Sequence, residues 1–486
     1  MSTLRLLVCV PLLALLLAAP ARTCTIFSGQ APDGATWIGN NEDFIFDFDT
    51  YLNVYPREGA QLGVLTFTYD RPQNFIQGGV NEKGLFFDAN AVPAVDTTQY
   101  AGWKRKRNYP GGDSALTMHI LRTCSTVPQM VAVLDRYRLP SLLGGQLHVA
   151  DAEGNLAIID ADSVRVVRGG PQVTTNFDCL TRPEAAAGCW RFPLVERMLD
   201  EGGVGLESFA RIAEATQQPR SVSTIYTTIV DLRAGDFYLY YGGDYRVPAR
   251  FRVRDMLAKG RRSYLMRSLL PDAPITRMWE VFRAKGPAEA VAWLRGRPGL
   301  TDERRAEILR YAFLNRLLIA SNYPVARAFY AEWAALAGDR HVAGDLFAAY
   351  ARMSEGDLAG AAERLARQVA ADSASTEIVR RMYLPAETAL LARLRGQKAE
   401  GANARFELKG HRGARYVCVY GLGLSAFTSP LLRTKGGWAG DFALPSGPIA
   451  YGFVVDGKLI RDPANPRHEM AEGIDRPHDL SVRVVR

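Results

Sequence analysis

Residues 24–44 read Cys24-Thr25-Ile26-Phe27-Ser28-Gly29-Gln30-Ala31-Pro32-Asp33-Gly34-Ala35-Thr36-Trp37-Ile38-Gly39-Asn40-Asn41-Glu42-Asp43-Phe44. Two alternating runs, Thr25 to Phe27 and Thr36 to Gly39, flank a Pro32-Asp33-Gly34 turn, which is the pattern of a β-hairpin. The hairpin has a thiol at its first residue and a carboxylate, Asp43, just past its second strand. A cysteine that becomes the first residue of a mature chain unites a nucleophile with a base. Its own α-amine, with a pKa of about 8, can take the thiol proton. Asp43 is the carboxylate expected to orient that amine. Two plainer roles compete, a structural cysteine and a lipid-bearing one. The Ala21-Arg22-Thr23 sequence before Cys24 lacks the small or aliphatic run that lipidation wants.

What precedes Cys24 has the form of a secretory leader, residues 1–23. Arg5 is its positive end, Leu6 to Ala19 its apolar run, and Ala19-Pro20-Ala21 its small-residue cleavage site. The run is shorter than the ~20 residues of a membrane helix, so an exported, periplasmic or extracellular protein is expected, not an integral membrane one. Cleavage after Ala21 would leave Arg22-Thr23 in place, so a second, self-catalysed trimming is expected to free Cys24.

The chain of 486 residues holds 59 Lys and Arg against 51 Asp and Glu, a net charge of +8. Removing Arg5 and Arg22 with an acid-free leader lowers this to +6 (8 − 2). The surplus is scattered. Short clusters such as Lys104-Arg105-Lys106-Arg107 and Lys259-Gly260-Arg261-Arg262 read as solvated loops, and nothing points to nucleic acid. Cys9 leaves with the leader, and Cys24, Cys124, Cys179, Cys189 and Cys418 remain. Cys179 and Cys189, around a Pro/Ala/Gly loop, could pair in an oxidising compartment. The odd thiol is then naturally Cys24. With no CxxC pair or histidine cluster, neither metal nor cofactor is expected.

About 460 residues after the leader are too many for one core. Up to residue 250 the chain alternates short strands with Gly/Asp turns. The strands read as Phe86 to Ala89, Gln146 to Val149, Leu156 to Ile159 and Arg165 to Val167. A closing pair, Ile225 to Val230 and Phe237 to Tyr241, flanks an Arg233-Ala234-Gly235-Asp236 turn. Between them lie two helices. Asp113 or Ser114 is expected to cap the first and Pro128 to open the second. The pattern predicts a layered α+β domain over 24–250.

This region resembles the choloylglycine hydrolase and penicillin V acylase family. The resemblance rests on Cys24-Thr25, Asn41-Glu42-Asp43, and Asn81-Glu82-Lys83-Gly84-Leu85 followed by Asn90. Also matching are Leu147-His148-Val149-Ala150-Asp151 and Thr174-Thr175-Asn176. It implies an N-terminal-nucleophile αββα sandwich in which Cys24 is the nucleophile and Asp43 holds the amino group or ligand. It further implies that Asn90 supplies an oxyanion donor and that Asn176 bonds near the tetrahedral centre. Asn40 and Thr224 fall where the family's substrate-binding positions would lie. Asn40 replaces a family arginine, and a second family arginine near Ser223-Thr224 has no clear counterpart. Both losses remove positive charge near the thiol, so an uncharged or apolar acyl chain is expected to be preferred over an anionic bile salt or penicillin.

Residues 251–402 turn rich in Ala, Leu, Arg and Glu at helical spacing. Ala290, Ala326 and Ala361 recur at intervals of 36 and 35 residues, close to a helix-turn-helix repeat. A tetratricopeptide-like array and an irregular bundle both fit. Residues 403–486 return to strands. Their Tyr451 to Pro463 run resembles the glycogen-binding β-sandwich module of AMP-activated protein kinase, with Phe427 and Leu459 where sugar-stacking tryptophans would stand. An interaction or structural sandwich is the first reading there, with a protein or carbohydrate partner.

Taken together, the sequence reads as an exported cysteine amidohydrolase that cleaves a linear, non-peptide C–N amide of a small molecule through an acyl-thioester on Cys24. An N-terminal-cysteine dipeptidase, which shares the Cys-Thr start and the Glu-Asp pair, is the enzymatic alternative. A non-catalytic cell-surface binding protein is the other.

Overall fold

The structure is a computed structural model. The residues it describes are 24–44, 49–69, 75–92, 101–218, 223–375, 380, 383–398, 401–422, 426–444, 446–471 and 478–485. The leader 1–23 lies outside them. The chain forms two units, Met1–Thr276 and Arg277–Arg486.

The first unit is built on two antiparallel sheets. The hairpin forms as read, with β1 (Thr25–Gln30) and β2 (Thr36–Phe44) paired Thr25 to Asn41 through Gln30 to Thr36. The Asp33 carboxylate accepts from Ala35 N at 2.9 Å, and Gly34 takes the left-handed φ of 85° that the turn requires. Next come β3 (Thr50–Tyr55), β4 (Val64–Tyr69), β5 (Ile76–Asn81) and β6 (Phe86–Ala91). After α1 (Ala101–Arg105) and a two-residue strand β7 (Arg107–Asn108), the helical pair follows as α2 (Gly112–Thr123) and α3 (Val127–Leu134). Then come β8 (Tyr137–Arg138), β9 (Gly145–Ala150), β10 (Asn155–Ile159), β11 (Val164–Arg168) and β12 (Gln172–Thr174). A second pair of helices, α4 (Arg191–Gly202) and α5 (Leu206–Ala215), leads to β13 (Ser223–Asp231), β14 (Asp236–Tyr241) and β15 (Asp244–Arg252). After α6 (Val253–Leu257), β16 (Arg262–Leu265) pairs with β3, so the chain stays with this unit past residue 250.

One sheet runs β12-β1-β2-β13-β14-β15 and the other β11-β10-β9-β6-β5-β4-β3-β16. Strand alternation sorts each into an inner and an outer face. Phe27 of β1 points outward against Phe209 of α5, ring centroids 5.0 Å apart, in a cluster with Val195 and Leu199 of α4. Gly39 lets this happen, because a Cβ there would lie 2.5 Å from the Phe27 ring. On the second sheet, Phe87, Leu147 and Val149 point outward to Leu116, Ile120 and Leu121 of α2 and Met130 of α3. Burying such a side chain contributes about 1.5–3 kcal/mol. Between the sheets, Phe67 meets Phe86, Tyr226 and Phe237 at centroid distances of 6.4, 6.3 and 5.8 Å. The layers are therefore helix, sheet, sheet, helix.

Two of the sequence motifs act as pins. Asn81 donates to Leu121 O and Cys124 O and accepts from Lys83 N and Leu85 N, tying the β5–β6 turn to α2. Asp151 accepts from Val127 N at 2.8 Å, holding the start of α3. The expected cap of α2 is corrected. Gly111, left-handed at φ 88°, stands at the N-cap, and Asp113 accepts instead from Ser141 N at 2.6 Å. The Ser141 amide, in the 3-10 helix Pro140–Gly144, takes that carboxylate in place of the N–H groups of α2.

The unit boundary falls within α7 (Pro274–Lys285), and the second unit continues with α8 (Pro287–Arg295), α9 (Asp302–Leu314), α10 (Tyr323–Leu336), α11 (Gly344–Glu355), α12 (Leu358–Ser373) and α13 (Leu384–Leu394). Ala290, Ala326 and Ala361 sit wholly buried on α8, α10 and α12. Beyond them β17 (Ala404–Lys409), β19 (Leu432–Arg433) and β20 (Gly437–Phe442) form one small sheet. The other is formed by β18 (Val417–Tyr420), β21 (Gly447–Val455), β22 (Lys458–Ile460), β23 (His468–Ala471) and β24 (His478–Val485). Phe406, Trp438, Val419 and Phe453 close a core between them. Phe427 is buried against Tyr323, Tyr350 and Tyr416, so it offers no open stacking face. Among the described residues no helix is long and apolar enough to cross a membrane, and no group of acidic, histidine or cysteine side chains is placed to hold a metal ion.

Candidate active site

Cys24 stands directly before β1, only 4% exposed, and alternation turns its thiol to the space between the sheets. There Sγ donates to Glu42 Oε1 at 3.4 Å and lies 3.9 Å from Asp43 O. Asn40 and Glu42, two residues apart on β2, share this inner face. Asn40 Nδ2 donates to Glu42 Oε2 at 3.2 Å and crosses to the second sheet to donate to Asp88 Oδ2 at 2.8 Å. Asp88 and Asn90, likewise two apart on β6, complete the facing wall. Asn90 Nδ2 donates to the main-chain oxygen of Cys24 at 3.1 Å. Tyr69 donates to Glu42 Oε1, and Tyr226 pairs across from Glu42 on β13.

The other face of the sheet holds Asp43. Its Oδ1 accepts from Thr224 Oγ1 at 2.5 Å and its Oδ2 from Gln218 Nε2 at 3.3 Å. The register shift on β13 between Thr224 and Tyr226 keeps Thr224 on this side, so it braces Asp43 and faces away from the thiol. Arg191, the first residue of α4, closes the group. It donates to Cys24 O at 3.0 Å, to Thr25 Oγ1 at 2.6 Å and to Asn176 Oδ1 at 3.0 Å, and it lies 3.5 Å from Asp43 Oδ2. Asn176 in turn donates to Ala91 O at 2.9 Å.

The structure thus brings Cys24, Asn40, Asp43, Asn90 and Asn176 together, with Thr224 bearing on Asp43. It adds three residues the sequence reading did not single out. Glu42 and Asp88 had a detectable signal, being polar residues at strand spacing from Asn40 and Asn90. Arg191 had a fainter one. A cation in the first helical turn opposes the helix dipole, which calls for an anionic partner nearby. Arg191, not the largely exposed Lys104 to Arg107 cluster, is the cation that reaches the main-chain carbonyl of Cys24 and the Asp43 carboxylate.

Electrostatically the site holds its protons. Burial, then the carboxylates of Glu42 and Asp43, push the Cys24 thiol well above its ordinary range. Burial lifts Asp43 to about 7, against the pull of Arg191, Thr224 and Gln218. Burial and Glu42 raise Asp88. A thiol in these surroundings becomes a nucleophile only as a base takes its proton. Cys179 and Cys189 are unbridged and buried, one near Gln146 Nε2 and the other near Thr175 Oγ1.

No protein-family model and no curated protein matches the sequence. Among solved structures, a variant of the conjugated bile acid hydrolase from Clostridium perfringens is similar at 15% identity, with 50% of this chain and 96% of that one covered and a TM-score of 0.39. Penicillin V acylase from Agrobacterium tumefaciens is similar at 17% identity, covering 47% and 85%, with a TM-score of 0.38. The Caenorhabditis elegans ortholog of N-acylethanolamine-hydrolyzing acid amidase is similar at 19% identity, covering 43% and 93%, with a TM-score of 0.34. Each of these likenesses covers half of this chain or less.

Proposed function

We propose that this protein is an exported cysteine amidohydrolase that cleaves a linear, non-peptide C–N amide once Cys24 is its first residue. The observation that carries the reading is the convergence of Asp43, Asn90, Asn176 and Arg191 around a cysteine placed just before a strand. Asn90 and Arg191 fix its main chain by two hydrogen bonds to one carbonyl oxygen, and Arg191 links that carbonyl to Asn176 and Asp43.

In the proposed reaction the freed α-amine takes the Cys24 proton as sulfur attacks the substrate carbonyl. The second N–H of Asn90 faces the developing oxyanion, a contribution of about 3–4 kcal/mol in comparable sites. The leaving amine receives the proton, and water then attacks the acyl-thioester. Arg191 is engaged by Asp43, Asn176 and the Cys24 carbonyl, and Asn40 carries no charge. A neutral acyl chain therefore suits the site better than an anionic one.

The test is a panel of neutral acyl amides, bile-salt conjugates, penicillin V and acyl-homoserine lactones offered to protein whose first residue is Cys24. Hydrolysis that disappears in Cys24→Ala is expected. Hydrolysis that persists in Cys24→Ala, or activity confined to dipeptides, would overturn the reading.

A further inference from the structure

The α-amine cannot act as a base while any residue precedes Cys24, because its nitrogen is then part of a peptide bond. A chain that frees its own cysteine needs another proton acceptor at the thiol. Of the two groups that Sγ meets among the described residues, the main-chain oxygen of Asp43 at 3.9 Å is far too weakly basic. The other is the Glu42 carboxylate, 3.4 Å away. Glu42 is only 3% exposed and its two oxygens are held apart in role. Oε2 accepts from Asn40 Nδ2, and Oε1 accepts from Tyr69 and faces the thiol. Donors on both oxygens favour the ionised form that a base must have, while burial and the neighbouring carboxyls of Asp43 and Asp88 favour keeping a proton once it arrives.

We propose that Glu42 is the proton acceptor for self-cleavage of the peptide bond before Cys24, so that one thiol is served by two bases in succession. The inference rests on reading Cys24 as an N-terminal nucleophile, but its test needs no substrate. Sγ–H passes its proton to Glu42, and sulfur bonds to the carbonyl carbon of residue 23 through a five-membered ring. The C–N bond breaks, the Cys24 nitrogen takes the proton from Glu42, and the leader is left as a thioester on Sγ. Water hydrolyses that thioester to the leader's carboxylate and a free thiol. The Cys24 amine is now free and takes over as the base in turnover. The positions divide the labour sensibly. Asp43, on the opposite face with Arg191, Thr224 and Gln218, does not touch Sγ with its carboxylate and remains available to orient the new amine.

The experiment follows the full chain, purified in denaturant and refolded without other proteins, by intact mass over time. Wild type is expected to convert to a chain beginning at Cys24. Glu42→Gln should do so about 10²–10³-fold more slowly, within the range of general acid–base catalysis, and Glu42→Asp should fall between. Far-UV circular dichroism checks folding. If Glu42→Gln does not fold, Glu42→Ala with added formate serves, since formate can occupy the vacated site and should speed cleavage in proportion to its concentration. Cleavage at the wild-type rate in Glu42→Gln, or no formate effect in Glu42→Ala, would overturn the proposal. So would a refolded wild type that never cleaves itself. Amide hydrolysis by that same chain, after an added protease has exposed Cys24, would show that the amidohydrolase reading survives; its absence would show that the reading fails separately.

Discussion

Replacing Arg191 by Met keeps the aliphatic stem and removes the guanidinium from a site where it is 1% exposed. Three hydrogen bonds, to Cys24 O, Thr25 Oγ1 and Asn176 Oδ1, and the contact with Asp43 are lost together. At pH 6, where Asp43 is still protonated, the loss is that of buried acceptors left without their donor, about 1–3 kcal/mol each, and a destabilisation of at least that order is expected in urea unfolding. The pH dependence is more specific. Asp43 keeps its proton in the fold up to about pH 7, whereas the unfolded chain releases it near 3.8. Its contribution is therefore full below pH 4 and declines as pH rises to 7, after which both states are ionised. Without Arg191 the folded pKa rises further, so in the variant the decline continues past 7. The difference between variant and wild type should be level from pH 5 to 7 and then widen by about 1.4 kcal/mol per pH unit. By pH 8.5 this amounts to about 2 kcal/mol more. The double variant Arg191→Met/Asp43→Asn should show no such widening. A difference that stays level from pH 5 to 9 would refute the claim that Arg191 is the counter-ion of Asp43.

Three further outcomes are expected. Asn90→Ala should lower kcat by roughly 10²–10³ with little change in KM, because the donor acts on the transition state; a loss confined to KM would remove it from the mechanism. His148 is bonded between Ser28 Oγ at 2.7 Å and Thr174 Oγ1 at 3.0 Å, and burial lowers its pKa from 6.5 to about 3. The unfolded chain takes up a proton that the fold refuses, so stability should be full above pH 6.5 and fall by about 1.4 kcal/mol per unit toward pH 3. His148→Asn should remove that slope in denaturant titrations at pH 7, 5.5 and 4.5, and an unchanged slope would contradict the assignment. Matched neutral and anionic amides should give higher kcat/KM for the neutral one, whereas a salt-sensitive preference for the anion would show that a cation still serves the substrate.

The strands were legible because their alternation is local. Phe86 to Ala89, Gln146 to Val149 and Leu156 to Ile159 all lie within strands of the second sheet. Cys24 and Asp43 were legible because a hairpin brings them together within twenty residues. The Asn90 contact with Cys24 O crosses from one sheet to the other, and no local pattern shows such a crossing; only resemblance suggested it. Arg191 was only faintly legible for the same reason, since the partners named above come from Cys24 and β1, from β2 and from the loop after β12. The α2 cap misled because a capping residue looks the same whether its carboxylate turns to its own helix or, as Asp113 does, to Ser141 N.

The most direct test of the central claim is an acid quench of the processed protein during turnover of a neutral amide, followed by mass analysis of its N-terminal peptide. The account predicts a peptide that starts at Cys24 and carries the acyl group on sulfur, with the adduct absent from Cys24→Ala. Steady hydrolysis by a protein that begins at Arg22, with no adduct on Cys24, would contradict it.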